Sequence, residues 1–367
     1  MLIDELTFFF SYNVIYFFTA FLVVTSILSV DFNRDSIRQK KIGSVLIFLP
    51  ILSLILLIGL RDLSVGTDTY SYYDILWLRD IDLEFGNDFL FALLAKILRY
   101  FNLGYGYFLF LIAFLFMFTT YIALNKISKF YYSNILYLFF TYLSFFFFLS
   151  MSINIIRQGI SLAFLLLAYS YFISKNNKSK VIIFIAFSLV FHSTSVIALI
   201  LFFISNNKIK YIKSYHYYIL FFLCIILSYM NFGLLNISPI LIDIIGSDDR
   251  RTSYLSGESS IYIVGFKSQF VLFNSLFLLV ASFLKTKIKN ELWLSNYNVL
   301  IRYYILASCT FFMAFQIPYS DRWGLLSWYI IPLFFIPLFS CRYVKSSIKI
   351  HWVFLLILIF IGFRFYG

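Results

Sequence analysis

Residues 8–30 read FFFSYNVIYFFTAFLVVTSILSV, an apolar run without one charged side chain. Crossing a ~30 Å hydrocarbon core takes about 20 residues of helix, so this run is long enough to span a bilayer. It does not alternate apolar and polar residues, as a strand of a membrane barrel would. Asp4 and Glu5 precede it, and Arg34, Arg38, Lys40 and Lys41 follow it. That charge order is opposite to a secretory signal peptide, and it predicts a retained span with its N-terminus outside.

The same pattern recurs outward to the last residues. Of 367 residues, 62% are hydrophobic and only 13% are charged, where soluble domains carry about 25%. The mean hydropathy is +0.90. Further spans are expected at 42–60, 107–124, 134–150, 157–173, 215–235, 263–284, 299–317, 324–341 and 350–365. The expected fold is all-α: one integral membrane domain over 1–367, a polytopic bundle of about 10–11 transmembrane helices. Two sizeable outer loops, 61–106 and 236–262, interrupt it, and the first holds an apolar segment, 89–101, that suits an interfacial helix.

Charge sets the orientation. Segments 31–41, 125–133, 174–180, 205–214, 285–291 and 342–349 hold most of the 29 basic residues, and the complementary loops hold most of the 17 acidic ones. The first group is expected in the cytoplasm and the second outside. A net charge of +12 is thus an orientation signal spread over short loops, and a nucleic-acid partner is not expected. The run 181–204 breaks the parity, because lysines flank it on both sides. A segment that enters and leaves by one face, broken near Phe191-His192-Ser193, restores it; a plain span is the alternative. Non-helical backbone at membrane depth is tolerated only where protein or a wet cavity satisfies it, so such a break points to a site.

Span 42–60 ends in Gly59-Leu60-Arg61-Asp62, followed by Val65-Gly66-Thr67-Asp68 and by Tyr70, Tyr72 and Tyr73. Tyrosines anchor helices at headgroup level and arginines snorkel to phosphate, yet aromatic faces and carboxylates also hold sugars. Arg157 opens a span after the short turn 151–156, with Gln158, Gly159 and Ser161 behind it. An arginine there snorkels or meets an anion. Arg322, beside Asp321, has the same ambiguity, and Arg250 and Arg251 neighbour Asp248 and Asp249. Several guanidiniums at one outer face suit a diphosphate, since each planar fork binds a phosphate oxygen pair while staying charged. His192, with Ser193, Thr194 and Ser195, makes a polar knot in an apolar run; it is either a packed core residue or, if the run is broken there, a donor to phosphate or a proton shuttle. Cys224, Cys309 and Cys341 read as small buried hydrophobes with no disulfide framework. No Walker A, GxGxxG or HExxH pattern occurs, and neither a metal nor a cofactor is expected.

In these same segments the chain resembles the EpsG-like branch of bacterial polysaccharide polymerases, which includes many Wzy-type O-antigen polymerases. The resemblance rests on Gly59-Leu60-Arg61, Val65-Gly66-Thr67-Asp68 and Tyr70, then Glu84-Phe85-Gly86, Arg157-Gln158-Gly159-Ile160-Ser161, Ala186 leading to Phe191-His192-Ser193-Thr194, and Asp321-Arg322. Aspartate-arginine at 321–322 replaces the glutamate-arginine often found there. The resemblance implies a multi-pass glycosyltransferase of the bacterial inner membrane with its active side periplasmic. Its donor and acceptor would be undecaprenyl-diphosphate-linked oligosaccharide repeats, and membrane lipids, a flippase and a chain-length regulator would be its partners. Arg61, Arg157, Arg251 and Arg322 would carry the diphosphate; Asp68, ranked first, Glu84 or His192 would serve as base; Tyr70, Tyr72 and Tyr73 would hold glycan. A flippase or sugar transporter is the competing expectation, though it would distribute polar groups along a central path.

Overall fold

The computed structural model describes residues 2–28, 36–79, 83, 88–175, 177–206, 213–237, 264–340 and 351–366. Glu84, Arg251, Cys341 and nearly all of the 236–262 loop lie outside these residues. The described chain is helical, with a π-helical turn at Asp74–Leu78 and two isolated bridges, Ile3 with Arg61 and Ser133 with Ser340. Among the described residues, six helices are long and apolar enough to cross a membrane: Glu5–Leu28, Lys41–Gly59, Tyr105–Phe130, Ile156–Ile173, Ser268–Lys285 and Asp321–Phe339. The pair Ile135–Leu143 and Phe146–Ile153, bent by 78°, makes a seventh if it is one span. The protein is therefore an all-α, polytopic membrane bundle.

Each of the ten expected spans contains helix. Fewer meet the length and hydropathy of a simple crossing, for identifiable reasons. The expected span 134–150 is the bent pair, and 215–235 and 350–365 are represented by the shorter apolar helices Ser214–Tyr229 and Val353–Phe363. Most of the expected span 299–317 falls in Glu291–Met313, a long helix diluted by Asn296, Asn298 and Arg302, and its last four residues lie beyond the helix end.

The chain divides into two compact units, Met1–Val196 with Ile288–Asn290 and Phe335–Gly367, and Ile197–Lys287 with Glu291–Phe334. In the first, Tyr105–Phe130 packs between Phe48–Gly59 and Ile156–Ile173, and Lys178–Phe191 packs on Ile156–Ile173 and on Phe89–Tyr100. Glu5–Leu28 shows how a helix divides its faces in such a bundle. It buries Phe8, Tyr12, Tyr16, Ala20 and Val23 while exposing Phe10, Val14, Phe17 and Phe21. Both faces are apolar, so lipid rather than water covers the outer one, and helix association rests on packing and interhelical hydrogen bonds. Tyr16 provides such a bond, donating to the Leu358 carbonyl (2.7 Å) with Ser144 Oγ at 3.1 Å.

In the second unit Asn274 plays the same part. Its amide donates to Ser308 Oγ (2.9 Å) and Ser327 Oγ (3.3 Å), and its Oδ1 accepts from Trp328 Nε1 (2.8 Å). Its main-chain carbonyl accepts from Tyr304 (3.0 Å). A fully enclosed amide is costly unless its bonds are made. Here they join three helices, Ser268–Lys285, Glu291–Met313 and Asp321–Trp328. Cys224 and Cys309 are buried free thiols.

Candidate active site

The Phe48–Gly59 helix delivers Arg61 into the interior of the first unit, where the side chain is 0% exposed. Its Nη1 donates to the Ile58 carbonyl (2.7 Å), one of the carbonyls a helix end leaves without an intrahelical partner. Among the described residues, Nε and Nη2 have no hydrogen-bond partner. Burial lowers its pKa to about 10, opposed by the nearby Tyr105 and Tyr72 phenols, so the guanidinium keeps its charge at neutral pH.

The chain then turns at Gly66, whose φ of +90° and close neighbours exclude a side chain. A Cβ there would lie 2.7 Å from Asn154 Oδ1 and 3.0 Å from the Ile153 carbonyl. The turn is held against the end of Phe146–Ile153: the Thr67 N–H donates to Asn154 Oδ1 (2.9 Å), and Thr69 Oγ1 donates to the Val65 (2.6 Å) and Ile153 (3.3 Å) carbonyls. Asp68 sits on this turn and accepts from Thr67 Oγ1 (3.1 Å).

Beyond it, the short helix Thr69–Tyr73 turns its three tyrosines differently. Tyr72 is buried edge-on to Phe91 (5.6 Å between centroids), whereas Tyr70 is 60% exposed and Tyr73 is half-buried, packed on Tyr105.

Three segments far apart in sequence then converge. Asp88 stands at the start of Phe89–Tyr100 in the left-handed region (φ 54°, ψ 38°), a conformation that aspartate tolerates better than most side chains. Its Oδ2 accepts a charge-assisted bond from Arg157 Nη1, and its Oδ1 lies 2.6 Å from His192 Nδ1. Arg157 occupies the first turn of Ile156–Ile173, with its guanidinium over the Tyr72 ring at 5.2 Å. His192 follows the end of Lys178–Phe191 in extended conformation (φ −160°, ψ 122°), before Ser195–Asn206 begins. The expected interruption of the 181–204 run is thus a real helix break, and it frees the imidazole from helical geometry. Arg157, Asp88 and His192 are 23%, 13% and 16% exposed, which leaves them partly shielded yet open to a ligand.

Of the residues singled out from sequence, Arg157, His192 and Tyr72 thus meet, with Arg61 enclosed behind the tyrosines. Asp68 and Tyr70 lie on the adjoining turn. Arg322 belongs to the other unit, where it stacks over Tyr319 at 4.9 Å. Beside it Lys267 donates to Ser320 Oγ (2.7 Å); burial lowers the Lys267 pKa, with Asp321 opposing. Sequence reasoning passed over Asp88 and Asn154. Asp88 carried a legible signal, a capping-type residue directly before the apolar 89–101 segment, but Glu84 drew attention four residues earlier. Among the described residues, no group of three or more His, Cys, Asp or Glu side chains could hold a metal.

No curated protein and no solved structure matches the chain. The sequence profile of the EpsG family matches residues 44–366, a stretch that contains the whole Arg61, Asp88, Arg157 and His192 cluster. Through a match over most of its length, this polytopic membrane protein belongs to the EpsG family.

Proposed function

We propose that this protein is a membrane glycosyltransferase of the bacterial inner membrane that polymerises undecaprenyl-diphosphate-linked oligosaccharide repeats at the periplasmic face. The product is an O-antigen or capsule-type polysaccharide. Membership of the EpsG family supports the general class. The observation that carries the mechanism is the convergence of a guanidinium, a carboxylate and an imidazole, Arg157, Asp88 and His192, at one partly shielded point.

The donor sugar is bound through C1 to a diphosphate, so the bond to be broken is already activated. Transfer forms a bond from an acceptor hydroxyl oxygen to C1 and breaks the C1–O bond to the diphosphate, which leaves with the electron pair. Negative charge grows on that leaving oxygen, and Arg157 is placed to stabilise it. The hydroxyl proton passes to His192 Nε2. Asp88 on Nδ1 holds the ring in the tautomer that leaves Nε2 as acceptor and stabilises the imidazolium formed.

His192, held by Asp88 at the convergence, ranks ahead of Asp68, which accepts from Thr67 on the adjoining turn. Asp68 and Glu84 are the other base candidates, and Arg251 and Arg322 the further diphosphate candidates. Arg61 is enclosed and acts through its positive potential behind Tyr72. Tyr70 and Tyr73, the more exposed tyrosines, suit a sugar face.

The test is reconstitution of the purified protein in proteoliposomes with one lipid-linked repeat and no nucleotide sugar. A ladder of products differing by one repeat is expected. Movement of the intact lipid-linked repeat between leaflets, with no longer product, would establish a flippase instead.

A further inference from the structure

Arg302 takes no part in the chemistry above, yet it places a guanidinium in the middle of Glu291–Met313. Two bonds bracket its depth: Tyr297 donates to the Phe334 carbonyl (2.9 Å) and Tyr304 to the Asn274 carbonyl (3.0 Å). Phe334 and Asn274 lie well inside Asp321–Phe339 and Ser268–Lys285, two helices long and apolar enough to cross a membrane. A charge at that depth is costly unless an anion meets it. Among the described residues, the Arg302 side chain has neither an ion pair nor a hydrogen bond, and its Nε is buried.

The described chain holds no anion at this depth. Its candidate spans carry two carboxylates, Glu5 and Asp321, and each opens its helix. Glu291 opens the helix of Arg302 itself, about 16 Å away along the axis. A second copy in the same bilayer repeats these depths, so the partner is of another kind.

Ser295 and Asn298 precede Arg302 at helical spacing on one face. All three are half-buried, beside the buried Tyr297, Leu300, Ile301 and Tyr304. Toward Met313 this face closes: Cys309 is buried and hydrogen-bonded to Cys224 of Ser214–Tyr229, and Ser228 donates to the Phe312 carbonyl (2.9 Å). These contacts come in the same order along both helices, so the two run parallel, and Ser214–Tyr229 begins near the height of Asn298. Its 16 residues extend about 24 Å, less than the ~30 Å hydrocarbon core. A helix that short is accommodated by a thinner bilayer. Lys213 precedes it, and Lys285 and Lys287 lie in the turn before Glu291, so the polar face opens toward a leaflet edged by cations that attract anionic lipid.

We propose that Ser295, Asn298 and Arg302 hold the phosphate of one anionic glycerophospholipid from that leaflet. One guanidinium with two neutral donors matches the single charge of a phosphodiester, and the planar fork fits its oxygens. A diphosphate carries more charge than this one cation balances. The headgroup completes the second unit, because it pairs a cation that the protein leaves alone in the membrane.

Native mass spectrometry of delipidated, full-length protein in an uncharged maltoside detergent counts bound lipid. Titrated with phosphatidylglycerol, the wild type is expected to take up one lipid with about tenfold higher affinity than Arg302→Met, the size of a charge-assisted hydrogen bond. Asn298→Leu keeps the cation and is expected to lose about threefold. Without added lipid, Arg302→Met melts no lower than the wild type, since it removes an unpaired charge from apolar surroundings. Phosphatidylglycerol raises the Tm of the wild type and leaves that of Arg302→Met in place.

One-lipid binding of equal strength in the wild type and Arg302→Met overturns the site. Arg302-dependent binding that is tighter for farnesyl diphosphate than for phosphatidylglycerol overturns the phospholipid assignment and gives the site to the carrier lipid. A lipid-free Arg302→Met that melts well below the wild type reveals a partner inside the protein, and overturns the site as well.

Discussion

Replacing Arg157 by alanine is expected to leave the protein in the membrane and to abolish extended glycan, while single repeats are still attached. Removing one preorganised donor to a developing anion costs about 10²–10³ in rate, enough to erase a ladder that needs many successive transfers. Arg157 lies in the first turn of Ile156–Ile173, with its guanidinium over the Tyr72 ring at 5.2 Å and its side chain 23% exposed, outside the apolar stretch that carries the helix across the membrane. Inserted protein, measured by membrane fractionation and immunoblot, should therefore match wild type. Arg157→Lys tests the fork itself: an ammonium keeps the charge but loses the planar pair of donors. Chains of intermediate length are expected for it. Wild-type chain lengths in Arg157→Ala would remove this arginine from the site.

His192→Gln separates proton transfer from anion binding. Glutamine keeps a donor that can reach Asp88 but offers no basic nitrogen. The expected loss is about 10²–10⁴ in the rate of repeat addition, the range of a general base. Farnesyl diphosphate binding should remain, since Arg157 and its stacking on Tyr72 are untouched. The rate comes from product ladders in proteoliposomes and the affinity from displacement of a fluorescent prenyl diphosphate. A variant that loses affinity and rate together would place His192 among the diphosphate ligands. Unchanged rates would return Asp68 and Glu84 to the front.

The membrane class was legible from residues 8–30 alone, because length and hydropathy constrain a span almost completely. The number of crossings was less legible. Ser144 and Phe145 interrupt an apolar run with no proline or glycine to announce a 78° bend, and Ser214–Tyr229 is shorter than the apolar run it was drawn from. The break at His192 could be read because serine and threonine cluster at the middle of the one apolar run flanked by lysines on both sides. Arg157, His192 and Tyr72 stood out individually as polar groups in apolar surroundings. What joins them did not. Asp88 looks like one acidic loop residue among several until its left-handed backbone aims it at two partners, 69 and 104 residues further along the chain. Asn154 likewise acts through its contact with the Gly66 turn, which only three-dimensional proximity discloses.

Whether the protein polymerises repeats is decided by a gel profile of surface polysaccharide from cells with and without this gene. A polymerase predicts that the ladder collapses to lipid core plus one repeat when the gene is removed and returns with the wild-type copy. Loss of every repeat from the surface, single units included, would contradict polymerisation and assign the protein to export or ligation.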